Sequence, residues 1–426
     1  MKCNDPRIAA FELLTAVFQK RRRFDEALDA QNDLAALEPR DRALARLLAL
    51  TVLRRTGELD AMIAPLLRKP LRGKAAPIQN LLRLGAAQLV FLETPAHAAV
   101  STMVDTAAAT KNGPYKKLVN AALRRLTREG TTPETDPGRR NTPDWLWDSW
   151  VRAYGPDQAA AIAEAHLIEP PLDITVKTDP ETWVEPLEAE LLPTGSLRRT
   201  AGGDIRGLPG FAEGAWWVQD AAAAIPARLL GDVSDQTVFD LCAAPGGKTA
   251  QLAEAGAKVQ AVDSDESRLQ RVDENLSRLG LKAQLVTADA TQWSPPQTAD
   301  AVLLDAPCTA TGTIRRRPDI ARQRTADNVT RLAKLQASLL SHAATLLRPG
   351  GLLVYATCSL QPEEGPERIA ALREEAAAFE IVPVRPEEVP GLEAAITPEG
   401  TLRTLPSLWA DRGGIDGFFV ARLRRT

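Results

Sequence analysis

Two cysteines carry the first hint of chemistry. Cys308 stands in Asp305-Ala306-Pro307-Cys308 and Cys358 in Thr357-Cys358-Ser359, and each follows a short β-branched or Leu-rich run that reads as a strand. A lone strand-end cysteine is ordinarily a buried small hydrophobe. Two of them, with Asp305 and Lys248 on loops at the same sheet edge, suit a reactive pair, because a nearby lysine favours the thiolate. A thiolate has a particular use on pyrimidines. Carbon 5 of cytosine is a poor nucleophile, but sulfur addition at carbon 6 places electron density on carbon 5, which can then attack a sulfonium methyl group. Loss of the carbon-5 proton lets the thiol leave by elimination.

A second constellation lies upstream. DLCAAPGGKTAQL (240–252) reads as a strand, a tight Pro-Gly-Gly turn and a helix. Gly246 and Gly247 let the backbone turn sharply and approach a ligand, and the following helix offers N–H groups to an anion. A nucleoside-triphosphate loop ending in Gly-Lys-Thr is the rival reading. It needs a glycine five residues before Gly247, where Cys242 stands, and Pro245 lacks an N–H that such a cradle would use. Asp263 ends the next strand candidate, 16 residues after Gly247, well placed to accept hydrogen bonds from ribose hydroxyls. Asp289 ends the third and could meet an adenine amino group. Either could equally cap a helix. Together these residues describe a pocket for a nucleoside-bearing cofactor.

The elements that must position these groups fall into regions. Residues 1–130 read as an all-α bundle. Asp5-Pro6 is a helix start, with a capping side chain and proline at the first helical position. Ile8, Phe11, Leu14 and Phe18 recur at helical steps, as do Leu44, Leu47, Leu48 and Val52, and then Leu118, Ala121, Ala122 and Leu126. Residues 131–142 (TTPETDPGRRNT) have the composition of a linker. Residues 143–214 form a small mixed region: 143–167 reads as a helix bearing Trp145, Trp147 and Trp150, and 172–177 as a strand. From 215 to 426 strands and helices alternate, with strands expected at 237–243, 258–263, 283–289, 301–307 and 351–359, and an antiparallel addition at 379–384 and 417–423. That order implies a parallel sheet covered on both faces, with the ligand at the strands' carboxyl ends.

Composition narrows the function classes. The 426 residues are 44% hydrophobic and 25% charged, as in an ordinary globular protein. No run of about 18 apolar residues suggests a membrane span, and the N-terminus has no signal-peptide core, so a cytoplasmic protein is expected. Four cysteines with no Cys-x-x-Cys pair, and three histidines (His97, His166, His342), argue against a disulfide framework and a structural metal. Net charge is −3, but residues 1–130 hold 22 Lys+Arg against 13 Asp+Glu, while the remainder holds 30 against 42. A basic front and an acidic rear suggest different partners. Arg315, Arg316 and Arg317 directly follow the Cys308 loop and could grip phosphates flanking an extruded base. Arg21, Arg22, Arg23, Lys116, Lys117, Arg124 and Arg125 are weaker candidates for RNA contact. The tryptophans at 145–150 and 216–217 read as core.

At these residues the sequence resembles the bacterial ribosomal RNA small-subunit methyltransferase B family of cytosine-5 RNA methyltransferases, over nearly the whole chain. DRALARLLALTVLRR (41–55), NLLRLGAAQLVFLETPAHAAV (80–100) and KKLVNAALRRL (116–126) are similar to the NusB-type RNA-binding domain at the front of that family. GFAEGAWWVQDAAAAIPARLL (210–230) and DGFFVARLRR (416–425) resemble the beginning and the closing strand of its catalytic domain.

The resemblance implies a multidomain α + α/β protein: a NusB-like helical bundle, a small linking domain, and a Rossmann-like methyltransferase domain with a mostly parallel seven-stranded sheet. It implies S-adenosyl-L-methionine as cofactor, held by the loop Cys242, Ala243, Ala244, Pro245, Gly246, Gly247 and Lys248, with Asp263 on the ribose, Asp289 on the adenine and Asp305 beside both cofactor and target base. Cys358 matches the nucleophile of the RNA enzymes and Cys308 the cysteine that assists product release. DNA cytosine-5 methyltransferases use the Pro-Cys thiol instead, with a Glu-Asn-Val motif not found here, so the layout favours RNA.

The expected substrate is 16S ribosomal RNA and the expected state a monomer. Transfer RNA is the nearest rival substrate, and a non-catalytic RNA-binding factor with a degenerate methyltransferase fold is the rival of another class. That rival predicts drift at the pocket, whereas Lys248, Asp305, Cys308 and Cys358 are all present. Departures from the family pattern are Ile174-Thr175-Val176-Lys177 where Leu-Arg-Val-Asn is usual, Gly365-Pro366 interrupting the acids after Cys358, and Thr309-Ala310-Thr311-Gly312 after Cys308.

Overall fold

The computed structural model describes all residues except 1–4, 32–33, 35, 131–133 and 376–377, with only the backbone described at Glu375. Cys3 therefore lies outside the described residues. The chain divides into two compact units, residues 1–151 with 159–167 and 314–324, and residues 152–158 with 168–313 and 325–426.

The first unit is helical. Its opening helix, Pro6–Phe18, starts as the sequence indicates: the Asp5 carboxylate accepts from the Arg7 N–H at 2.8 Å, and Pro6 sits where no intrahelical N–H is needed. Ile8, Phe11 and Leu14 are buried. In the helix Pro39–Arg54 the buried face carries Ala45, Leu48, Ala49, Val52 and Leu53, while Leu47 is 39% exposed. In the helix Lys116–Glu129 it carries Val119, Ala122, Leu123 and Leu126, and Ala121 faces solvent. The expected apolar stripes were thus correct in period but rotated by about one residue at these two helices, because small alanines flank the stripe on both sides. Burying each large aliphatic side chain contributes roughly 1.5–3 kcal/mol, and one continuous cluster from Ala10 to Leu126 gathers most of them.

Within the run expected as a linker, Pro137–Asn141 forms a short helix. Asn141 is buried and its side-chain oxygen accepts from the N–H groups of Gly57 (2.8 Å) and Glu58 (3.2 Å). The helix expected over 143–167 is two, Asp144–Tyr154 and Pro156–Ala165, broken at Gly155, which has a positive φ of 82°.

The second unit contains two sheets. The small one orders β2 (Ala189–Leu191), β3 (Leu197–Arg199), β1 (Leu172–Val176) and β4 (Trp216–Val218), all antiparallel. Trp216 and Trp217 are buried. Arg198 and Asp173, both buried, meet in two bonds of 2.7 Å that fix β1 to β3.

The large sheet runs β10 (Phe379–Ile381), β12 (Phe419–Arg425), β9 (Leu347–Thr357), β8 (Ala299–Asp305), β5 (Thr237–Leu241), β6 (Lys258–Asp263) and β7 (Gln284–Thr287), with the two-residue β11 (Leu402–Arg403) added against β12. Pairings from β7 through β9 are parallel, and those of β12 antiparallel. The seven-strand path matches the expectation, with β11 as an eighth. The chain leaves β5 for β6 and β7 on one side, then returns to β8 on the other. The β5/β8 boundary is therefore the switch point where a crevice opens at the carboxyl ends.

Candidate active site

The switch point fixes where the first constellation lies. After β5 the chain turns through Cys242 to Gly246 into the helix Gly247–Glu254. Gly246 has φ +99°, and a Cβ there would lie 2.9 Å from Val272, so both conformation and space require glycine. Asp263, at the end of β6, is buried. One of its oxygens accepts from the Ala244 N–H at 3.2 Å, the other from the Asp265 N–H at 3.2 Å. It therefore ties the β5 loop to the β6 loop. The cap of the following helix is Asp265, which settles the helix-cap alternative for Asp263.

Asp289 follows β7 and is exposed, accepting from the N–H and hydroxyl of Thr291, which hold its carboxyl below the ordinary range. Arg268, which the sequence did not single out, bridges Asp263 (3.3 Å) and the Ala244 carbonyl (2.8 Å). A glycine turn at a helix start, with carboxylates at the ends of adjacent strands, supplies acceptors for hydroxyl and amino groups and a close backbone approach. That set of groups fits an S-adenosylmethionine cofactor, which residues 242–248 with Asp263, Asp289 and Asp305 would hold.

Lys248, in the first turn of the same helix, reaches across to β8. Its Nζ lies 2.7 Å from Asp305 Oδ2 and 5.5 Å from the centre of the Phe418 ring. Burial disfavours the ammonium, but Asp305 and then the Cys358 sulfur outweigh it and raise the Lys248 pKa. Below the loop, Asp240 is fully buried. It accepts from the Thr249 hydroxyl at 2.6 Å, and burial raises its pKa to about 7. Burial also raises the Cys242 thiol, which stays protonated.

The two sulfurs meet because β8 and β9 are parallel neighbours. Asp305 pairs with Ala356, the Ala306 N–H donates to the Ala356 carbonyl at 2.9 Å, and the Gly312 N–H donates to the Cys358 carbonyl at 3.0 Å. The loops leave the sheet side by side, and Cys308 Sγ lies 3.4 Å from Cys358 Sγ. That is contact between free thiols, well beyond the ~2.05 Å of a disulfide. The bond to Cys358, then burial, hold the Cys308 thiol far above its ordinary pKa. The Cys308 thiol is thus kept protonated.

Around them lies a residue the sequence reading passed over. Glu364, the second acid of the run after Cys358, is 0% exposed and accepts from both cysteine loops. Its only sequence signal was the acidic run itself, noted for the Gly365-Pro366 interruption. Gly365 is confined as well, since a Cβ there would lie 2.8–2.9 Å from Arg403 and the Phe419 ring. Ala310 takes a left-handed φ of 59° in the Cys308 loop.

Arg315, expected to reach RNA phosphate from the surface, is instead 1% exposed, and its segment belongs to the helical unit, where Arg54 donates to its carbonyl at 3.1 Å. Arg316 is half-buried, and Arg317 is exposed and paired with Asp25 at 3.2 Å. Arg23 pairs with Glu26 and Arg125 with Glu129, whereas Lys116 and Lys117 are exposed. Lys177 donates to the Leu279 carbonyl, and Thr175 is buried in β1 opposite Trp217. His166 packs edge-on against Trp150, and burial lowers its pKa to about 3. Among the described residues, no cluster of His, Cys, Asp or Glu could hold a metal ion, and no helix is long and apolar enough to cross a membrane.

A doubly wound sheet with a glycine turn at its switch point and carboxylates on successive strand ends is the architecture of an S-adenosylmethionine-dependent methyltransferase. Comparison with known proteins makes the class specific. Residues 227–424 match the family model described as 16S rRNA methyltransferase RsmB/F, and residues 4–128 match the NusB family. The chain is 39% identical to ribosomal RNA small subunit methyltransferase B of Pseudomonas putida, covering 98% of each, and 38% identical to that of Vibrio cholerae, covering 91% of this chain and 94% of the relative.

Among solved structures, PH0851 shares the fold over 99% of both chains (TM-score 0.81, 23% identity). A methyltransferase homolog protein from Pyrococcus horikoshii covers 71% of this chain and 98% of its own (TM-score 0.56, 27% identity). The chain belongs to the ribosomal RNA small-subunit methyltransferase B family, and it is an S-adenosylmethionine-dependent methyltransferase with a NusB-type helical region at its front.

Proposed function

We propose that the protein methylates carbon 5 of a cytosine in 16S ribosomal RNA through a covalent bond between Cys358 and the base, as a cytoplasmic monomer. The observation that carries this reading is the 3.4 Å approach of Cys308 and Cys358 beside the Lys248–Asp305 ion pair. When bound, the cofactor supplies an electrophilic methyl group on a sulfonium. Everything else falls to the protein. The Cys358 thiolate, its charge offset by the Lys248 ammonium, adds to carbon 6, and the electrons of the 5,6 double bond move to carbon 5. Asp305 hydrogen-bonds the cytosine edge and stabilises the charged adduct. Once carbon 5 carries its methyl group its proton passes to solvent water, the C5–H electron pair re-forms the 5,6 double bond, and the Cys358–carbon 6 bond breaks with its pair leaving on the Cys358 sulfur. Cys308, kept protonated at contact distance, assists the departing sulfur.

The substrate is drawn from the names of the relatives and from the two-cysteine layout. Of the arginine triplet, the half-buried Arg316 and the exposed Arg317, which would exchange its Asp25 pairing, are the candidates for RNA phosphates. Bisulfite sequencing of 16S and transfer RNA, incubated with the purified protein and methyl donor, tests the substrate. A new mark at a single 16S cytosine is expected. A mark on transfer RNA with 16S RNA unchanged contradicts the substrate, and no mark on either contradicts the activity.

A further inference from the structure

We propose that Glu364 is a positioning residue: a single buried carboxylate that clamps the Cys308 and Cys358 loops together and thereby sets the distance between the two sulfurs. The inference rests on the covalent reading above and assigns a role to a residue that touches neither sulfur.

The hydrogen bonds fall on the residues that flank the two cysteines. On the Cys308 side, the Thr309 N–H donates to Glu364 Oε1 at 2.9 Å, and the Thr309 hydroxyl donates to Oε2. The Gln336 amide donates at once to the Pro307 carbonyl (2.9 Å) and to Glu364 Oε1 (3.1 Å), so the position before Cys308 is held as well. On the Cys358 side, the Ser359 hydroxyl donates to Glu364 Oε2 at 2.6 Å, and the Thr357 hydroxyl donates to the Glu364 backbone carbonyl at 3.1 Å. Residues 307, 309, 357 and 359 are therefore all tied to Glu364 or to the amide beside it. The sulfur-bearing residues between them are left to face each other.

A carboxylate is an expensive way to fill a buried site, and desolvation raises the Glu364 pKa, opposed by its Ser359 and Thr309 donors. Its chemical advantage is acceptor number. Two oxygens with about four lone-pair sites can take three or four donors from two loops at once. An aliphatic residue could fill the space but could not hold both loops in register.

The consequence is specific to the second half of the reaction. Of the two sulfurs, addition needs only Cys358, whereas elimination needs Cys308 at contact distance. Loosening the clamp should lengthen the life of the covalent adduct more than it slows its formation. The test compares wild type, Glu364→Ala, Glu364→Gln and Ser359→Ala with natural 16S RNA and methyl donor. Adduct is followed on denaturing gels after rapid mixing, and cofactor binding is titrated to count folded sites. Cys308→Ala serves as the control that accumulates adduct.

In Glu364→Ala, adduct lifetime per folded site should rise about 10-fold or more, with cofactor affinity unchanged. Glu364→Gln keeps one carbonyl acceptor for the Thr309 N–H and should recover to within about 3-fold of wild type. Ser359→Ala, which removes a single donor and leaves the carboxylate in place, should move the lifetime in the same direction by less. A wild-type lifetime in both alanine variants overturns the clamp. So does a Glu364→Ala variant that slows formation and elimination equally, or one that fails to fold while Ser359→Ala keeps the wild-type lifetime. Absence of adduct in the Cys308→Ala control overturns the covalent reading on which the clamp rests, and is distinguishable from the clamp's own failure.

Discussion

The helical unit and the sheet unit both bury polar groups, to opposite ends. In the helical unit the buried or half-buried polar side chains close on partners that finish the architecture. Arg83 grips Asp60 through two bonds of 2.7 Å, Asn141 caps backbone N–H groups, and His166 packs on Trp150 and is held neutral. In the sheet unit the Arg198–Asp173 pair does the same for the small sheet, but a second set of buried or half-buried ionisable groups is gathered at the ends of three parallel strands, β5, β8 and β9. Lys248, Asp305, Asp240, Cys308 and Glu364 all have raised or opposed protonation equilibria there, or pair with a group that does. A buried charge thus signals chemistry only where several converge on one place that a ligand can reach. A single satisfied one signals packing.

The sharpest way to break this contrast is to cut each unit at its centre. Leu81→Ala in the helical core removes a side chain with no exposed surface and should cost about 2–5 kcal/mol of stability, read by denaturant titration. The rate of adduct formation per folded molecule should be unchanged. Lys248→Met should do the reverse. It should lower the single-turnover methylation rate about 10²-fold, with partial recovery at higher pH where the thiolate forms unaided, and it should leave thermal stability far less affected. Equal losses of rate in both variants would erase the distinction between the units.

A gentler test uses pH. Asp240 binds its proton up to about pH 7 when folded and only to about 3.8 when unfolded. The folded state therefore holds more protons in that window, and the stability this group contributes falls as pH rises from 4 through 7. His166 is opposite in sign. It stays neutral in the folded state down to about pH 3 but takes a proton near 6.5 when unfolded, so its contribution is lost as pH falls from 6.5 towards 3. Asp240→Asn should flatten the first dependence and His166→Gln the second, each by on the order of a few kcal/mol across its window, as measured by urea unfolding at a series of pH values.

Much of the catalytic unit was legible because parallel strands announce themselves as short apolar runs. Lys258–Asp263 was placed to the residue, and the sulfur pair followed once β8 and β9 were neighbours. The helical unit gave its period but not its phase, since Ala121 and Ala122 are equivalent to any apolar count and only packing tells them apart. Glu364 was invisible for a different reason. Its burial depends on two loops that are 50 residues apart in sequence at their cysteines and meet only in the folded sheet, so locally it is one more acid in a polar run. Arg315 failed as a surface contact on the same grounds. A basic triplet in sequence carries no record of which member turns inward.

The bond between Cys358 and the base is the step on which catalysis at this site turns. Cys308→Ala incubated with 16S RNA and methyl donor, then digested with nuclease and protease, should yield a peptide whose Cys358 carries a methylated cytidine by mass spectrometry. Cys358→Ala should yield no such species and no methylated RNA. A cytidine attached to any other residue, or methyl transfer persisting in Cys358→Ala, would contradict the account.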